Sequence, residues 1–230
     1  MFFHRLFQKI AKDNNIEYYS SNNKPDNENL WNNKLDNCIL CPKRRVPRNY
    51  EENLKYIIHL RNPIDTLISE YYSYGFTHIE PDISDEKEHE MFTKRRKKIQ
   101  NLTLDEYCLL QENIDKINNK YNGVLNWIEK YKDRENVFIS NYDNMYYDFP
   151  NWLRNIFDFL SLKTYNETLS MFEKEFENKN MEHIKSDIKT IKDHKRSGLS
   201  KQYLVELKKS TLDLLISKLS DHIKNNYDFT

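Results

Sequence analysis

The run Lys55-Tyr56-Ile57-Ile58-His59-Leu60 passes without a break into Arg61-Asn62-Pro63, and then into a helical pattern from Ile64 to Tyr72. No other junction in the chain constrains the fold as much. A short, nearly continuous apolar run with β-branched residues predicts a strand buried on both faces. Asn is a favoured N-cap and Pro a favoured first helical residue, so a helix should run from 63 to about Gly75. Two further strands are predicted, at 37–41 (NCILC, stopped by Pro42) and at 136–140 (NVFIS). Helices are predicted over 2–13, from Leu104 to about Lys132 with a break at Gly123, and over 149–162, 166–178 and 203–225. Residues 19–37 and 80–101 read as loops, the second because its charges show no apolar periodicity. Strands that alternate with helices predict one α/β domain over 1–230, three-layered, with a mainly parallel sheet flanked by helices.

The 36 basic and 36 acidic residues give a net charge of zero. That argues against a general nucleic-acid coat, which needs a positive excess over the phosphates. No apolar run reaches membrane-span length, and MFFHRLFQKIAKDNN lacks the apolar core and small-residue cleavage site of a secretory signal. Three cysteines make no disulfide framework, so a cytoplasmic location is expected. Cys38 and Cys41 form a CxxC, but Ile39 and Leu40 stand between them, which favours a buried strand over a metal or redox site. His183 and His194 are isolated, and no cluster has metal-ligand spacing. The basic run TKRRKK (93–98) could meet an acidic glycan, but it follows DEKEHE, which favours a self-neutralising solvated stretch.

In parallel sheets, ligands sit beyond the carboxyl ends of the strands. Arg61 falls there, and Ser140-Asn141-Tyr142 falls at the same edge. The helix beginning at Pro63 would point free N–H groups and the positive end of its dipole at that edge. Arginine beside such a helix makes an anion site. An Arg61–Asp65 pair at i,i+4 is the alternative, and spacing leaves both open.

Four segments, in order, carry a resemblance. KYIIHLRNPIDTLISEYY is similar to the 3′-phosphate-binding segment of sulfotransferases that use 3′-phosphoadenosine 5′-phosphosulfate: a strand, Arg-Asp/Asn-Pro, and a helix with a serine eight residues after the arginine. YNGVLNWIEKYKDRENVFISNYDNM resembles their helix, strand and Tyr-Glu-Asp-Met segment, here Tyr142-Asp143-Asn144-Met145. WLRNIFDFLSL resembles the helix that follows. HKRSGLSKQYLVEL is similar to their late Arg-Lys-Gly segment, here Arg196-Ser197-Gly198. The resemblance covers roughly residues 1–228 and implies a P-loop-NTPase-like architecture, a nucleotide donor and a small-molecule or glycan acceptor. It implies that Arg61, Ser69 and Arg196 hold the 3′-phosphate with the backbone at Ser197 and Gly198, and that Tyr142 lies near the adenine. Guanidiniums and a hydroxyl suit a dianion.

Two departures stand beside it. The family's 5′-phosphosulfate loop, Lys-x-Gly-Thr/Ser-Thr, does not occur in a chain whose three glycines are Gly75, Gly123 and Gly198. Met1–Leu6 resembles the helix that follows that loop, so the chain reads as N-terminally incomplete, and negligible donor turnover is expected of it as it stands. Many relatives carry a histidine after the second strand. Here CPKRRVP stands in that place, and Arg45 cannot act as a base. His4 and His78 are the other histidines near the expected cleft, and the catalytic base stays unassigned.

Overall fold

The computed structural model describes residues 2–19, 37–41, 46, 49–81, 84–173 and 199–229. α1 (Phe2–Asp13) is followed by β1 (Glu17–Tyr19), β2 (Cys38–Leu40) and β3 (Tyr56–Leu60). α2 (Pro63–Tyr72) runs directly into a π-helical turn, Ser73–Thr77. Then come α3 (Glu86–Gln100), α4 (Leu104–Leu109), α5 (Gln111–Tyr131), β4 (Val137–Asn141), α6 (Tyr142–Tyr147), α7 (Phe149–Leu160) and α8 (Tyr165–Phe172). The described chain ends in α9 (Tyr203–Glu206), α10 (Lys209–Lys218) and α11 (Asp221–Asn226).

Among the described residues all strand pairing is parallel, as the alternation of strands and helices predicts. β3 pairs with β4, with His59 opposite Ser140 and Leu60 opposite Asn141. Side chains alternate across this pair. Ile57 and Phe138 face a core built from α1, α7 and α8, through Leu6, Ile10, Trp152, Leu153 and Phe172. Tyr56, Ile58, Leu60 and Val137 face Trp127 and Ile128 of α5. Helices therefore cover both faces. A third cluster joins α2, α4, α5 and the C-terminal helices through Ile64, Leu67, Ile68, Ile114, Tyr203 and Leu215.

The strand expected at 37–41 does not join this pair. β2 pairs instead with β1, Glu17 opposite Cys38, so the described strands form two two-stranded sheets rather than one. β1 lies at the edge of a stretch read as loop; its three residues are too few to show a period. The expected 80–101 loop is also corrected, because α3 occupies most of it. This helix is held by charge order rather than by an apolar stripe. Asp85 caps its N-terminus, Glu86 and Glu88 lie in the first turn, Lys97 and Lys98 in the last, and Glu90 pairs with Lys94. The helix does not break at Gly123, where an added Cβ would meet nothing within 4 Å. The break comes at Leu110, between α4 and α5. The single helix expected over 203–225 is three short ones.

α3 grips the π-helical turn. Arg96 Nε donates to the Tyr74 carbonyl at 3.2 Å, and the Gln100 amide donates to the Gly75 carbonyl at 2.8 Å. A Cβ on Gly75 would lie 2.9 Å from Ile99 Cγ2. Gly75→Ala is therefore expected to cost about 1–2 kcal/mol through overpacking, read as a lower urea midpoint with unchanged slope.

Candidate functional site

Three segments far apart in sequence meet at the carboxyl end of β3. Arg61 leaves the strand with its guanidinium 4.6 Å from the centroid of the Tyr142 ring, the first residue of α6. The two residues predicted to share one edge therefore touch. Arg61 Nε and Nη2 are buried and have no hydrogen-bond partner. The Arg61 carbonyl accepts from the Tyr121 hydroxyl at 2.8 Å, which fixes the strand's exit.

Asp65 does not form the i,i+4 ion pair that spacing left open. It is fully buried, and its carboxylate is occupied by main chain: Oδ2 accepts from Lys201 N at 2.9 Å and Oδ1 from Tyr203 N at 3.2 Å. It makes no ion pair with Arg61, although the nearby guanidinium acts on it. Burial pushes its carboxyl up to about 6, against the opposing pull of Arg61 and of the two N–H donors. The 200–203 segment is also held by Ser200, whose hydroxyl donates to Asp143 Oδ1.

The expectation of free N–H groups at the start of α2 is corrected. Pro63 has none, and Asn62 Oδ1 accepts from Ile64 N at 2.9 Å and from Asp65 N at 3.5 Å. The cap that marks the helix in sequence also consumes its first donors, leaving the dipole and Arg61 to carry the positive field.

Ser69 lies one turn beyond Asp65 on the same side of α2, with its hydroxyl 3.5 Å from the Gln202 amide nitrogen. Arg196, Ser197 and Gly198 lie outside the described residues, as do Arg45, His183 and His194. Leu199, where the described chain resumes, directly precedes the segment docked on Asp65 and Asp143.

His59 stands two positions before Arg61, and the sequence reading leaves it out of the candidate site. Its Nδ1 lies 2.9 Å from Ser140 Oγ, Trp152 Nε1 donates to the same oxygen at 2.6 Å, and Phe3 packs edge-on with ring centroids 4.6 Å apart. Burial first, and the Arg61 charge second, hold its imidazole down to about 4, so it is neutral near pH 7. The available signal was a lone polar residue within an apolar strand, two positions before Arg61. Asp65, by contrast, gave only its i,i+4 spacing from Arg61.

The other histidines fall elsewhere. His4 Nδ1 bonds the Tyr18 hydroxyl at 2.7 Å, and Tyr18 donates to the Cys41 carbonyl at 2.9 Å, so His4 ties α1 to the β1–β2 pair. His78 follows the π-helical turn, where its carbonyl accepts from Arg96. The Cys41 thiol is pushed up to about 12 by burial, far from a ready thiolate. The TKRRKK cations lie on α3, where Lys94, Arg96 and Lys98 pair with Glu90, Glu80 and Glu112. Among the described residues no helix is long and apolar enough to cross a membrane, and no group of three or more acidic, histidine or cysteine residues could hold a metal ion.

Comparison with known proteins gives one positive result. Searches of curated proteins and of solved structures return no match to the chain. The family model described as "Sulfotransferase domain" matches residues 41–229, a span that begins just after β2 and takes in β3, α2, β4, α6 and the 200–203 segment. With most of its length matched, the chain belongs to the sulfotransferase-domain family.

Proposed function

We propose that this chain binds 3′-phosphoadenosine 5′-phosphosulfate with the 3′-phosphate on Arg61, and that the sulfuryl group passes to a hydroxyl or amine of a small-molecule or glycan acceptor. The observation that carries this reading is the Arg61 guanidinium, with two buried nitrogens lacking partners at the carboxyl end of a parallel strand. Leaving buried donors unmade costs about 1–3 kcal/mol, and a dianion would satisfy them with charge-assisted bonds. Ser69, Arg196 and the backbone of Ser197 and Gly198 join the phosphate site by family resemblance, in a P-loop-NTPase-like architecture. Tyr142, whose ring already meets the guanidinium, would flank the adenine.

In the transfer, the acceptor oxygen or nitrogen attacks sulfur in line as the bond from sulfur to the nucleotide's phosphate oxygen breaks. The acceptor's proton goes to a base, and the nucleotide 3′,5′-bisphosphate leaves. The protein's part is position and charge stabilisation.

Calorimetry tests the site. Adenosine 3′,5′-bisphosphate should bind about tenfold to a hundredfold more tightly than adenosine 5′-phosphate, and Arg61→Ala should remove most of that gap. Equal affinities in the unaltered protein would defeat the reading. A second reading, a nucleotide-binding domain without transfer, is favoured by one sequence fact: no Lys-x-Gly-Thr/Ser-Thr loop occurs in these 230 residues. Donor turnover against a panel of hydroxyl and amine acceptors separates the two: turnover by this chain would uphold transfer and overturn the negligible rate expected from the missing loop, and nucleotide binding without turnover would favour the second reading.

A further inference from the structure

We infer that His59 is a ligand-contacting residue, donating a hydrogen bond from Nε2 to an oxygen of the same phosphate- or sulfate-like anion that Arg61 holds. The inference rests on reading Arg61 as the anion site and adds a neutral donor to it.

The hydrogen-bond network assigns the tautomer. Trp152 Nε1 can only donate, so Ser140 Oγ accepts from it at 2.6 Å. The Ser140 hydroxyl proton then needs an acceptor, and His59 Nδ1 lies at 2.9 Å. If Nδ1 accepts, the proton of the neutral imidazole sits on Nε2. The opposite tautomer would leave the buried Ser140 hydroxyl proton with nowhere to go. His59 Nε2–H is thus a donor, and it is buried without a partner.

Position links this donor to Arg61. Arg61 directly follows β3, two positions after His59, the spacing that continued extended backbone would place on the same face. Both meet Tyr142, with the His59 ring centroid 6.3 Å and the Arg61 guanidinium carbon 4.6 Å from the centre of its ring. Three buried donors lacking acceptors, Arg61 Nε, Arg61 Nη2 and His59 Nε2, therefore share one corner of the molecule. A single such atom can be tolerated as a packing defect. Three together, two of them on a permanent cation, call for an oxyanion with several lone pairs.

The groups facing His59 fit this role. β4 presents Ser140, α7 presents Trp152, α1 presents Phe3 and α6 presents Tyr142, while the charge acting on the ring is that of Arg61. No carboxylate among these competes for Nε2. A neutral donor completes the cradle without adding a second buried cation.

The test follows the His59 ring nitrogens by NMR in the unaltered protein while adenosine 3′,5′-bisphosphate, inorganic sulfate or inorganic phosphate is added. The bisphosphate should move the Nε2 signal and raise the imidazole's titration midpoint, since an adjacent dianion favours the charged ring. His59→Leu should bind the bisphosphate about tenfold more weakly, while His59→Gln, which keeps an N–H donor, should stay within about threefold. Should His59→Leu fail to fold, the ring signals of the unaltered protein decide alone. Arg61-dependent nucleotide binding with a silent His59 would overturn this inference and leave the nucleotide reading standing. An equal response to sulfate, phosphate and the bisphosphate would uphold the His59 donor and overturn the nucleotide reading. A ring unmoved by all three anions would overturn the inference outright.

Discussion

Trp152→Ala is expected to cost about 3–5 kcal/mol of folding stability, a large fraction of what a domain of this size holds. The indole is buried to 3% exposure between α1 and the β3–β4 pair, where it stacks on Phe149 and meets Phe3 and His59 edge-on. Its removal opens a cavity in a cluster whose remaining members, Leu6, Ile10, Leu153, Phe157 and Phe172, sit on three different elements and cannot all close in. Trp152→Phe separates the two contributions. It keeps most of the apolar volume and loses the bond to Ser140, so it should cost about 1–2 kcal/mol. Urea unfolding of both variants makes the comparison, and a Trp152→Ala cost below about 1.5 kcal/mol would show that this core collapses around the gap.

The second large effect depends on pH and is concealed in the unaltered protein. The Asp65 carboxyl is raised from 3.8 to about 6 in the fold. A raised group contributes stability that is fully present below the unfolded value and is lost as pH climbs through about 6. His59 is lowered from 6.5 to about 4, so its burial costs nothing above pH 6.5 and progressively more as pH falls toward 4. At about 1.4 kcal/mol per pH unit, each effect amounts to about 3 kcal/mol, with opposite sign and nearly the same window. The two slopes offset each other. Asp65→Asn removes one of them, so its stability relative to the unaltered protein should rise by about 2–3 kcal/mol between pH 4 and pH 7. His59→Gln should fall by a similar amount over the same range. Urea midpoints at four pH values suffice, and differences that stay flat with pH would refute both assignments.

What could be read from the sequence was whatever depends on near neighbours along the chain. The strands expected at 55–60 and 136–140 appear as Tyr56–Leu60 and Val137–Asn141, and the Asn-Pro start of α2 holds to the residue. The Arg61–Tyr142 contact followed because both residues sit at the carboxyl ends of neighbouring parallel strands. α3 is not legible from apolar periodicity because its stability lies in the order of its charges rather than in an apolar stripe. The single sheet failed because a short apolar run such as NCILC specifies a strand but not its neighbour. Asp65 was legible only as half of a local pair. Its partners are main-chain N–H groups at 201 and 203, and main chain leaves no trace in a sequence. His59 was in view throughout and was counted as strand filling.

The joining of residues 59–65, 142–143 and 200–203 at one corner has a consequence for synthesis on the ribosome. Asp65 waits for a segment that emerges 136 residues later, and Asp143 for one 57 residues later. Contacts of such long sequence separation form late in folding, after the closure entropy of the intervening loop has been met. A nascent chain can pair β3 with β4 once residue 141 has cleared the exit tunnel, but Asp65 then remains buried or half-buried without its acceptor role fulfilled. This corner is therefore assembled last, and if it is the nucleotide site proposed above, capture of nucleotide by stalled chains of graded length should switch on only when residue 203 is free of the ribosome.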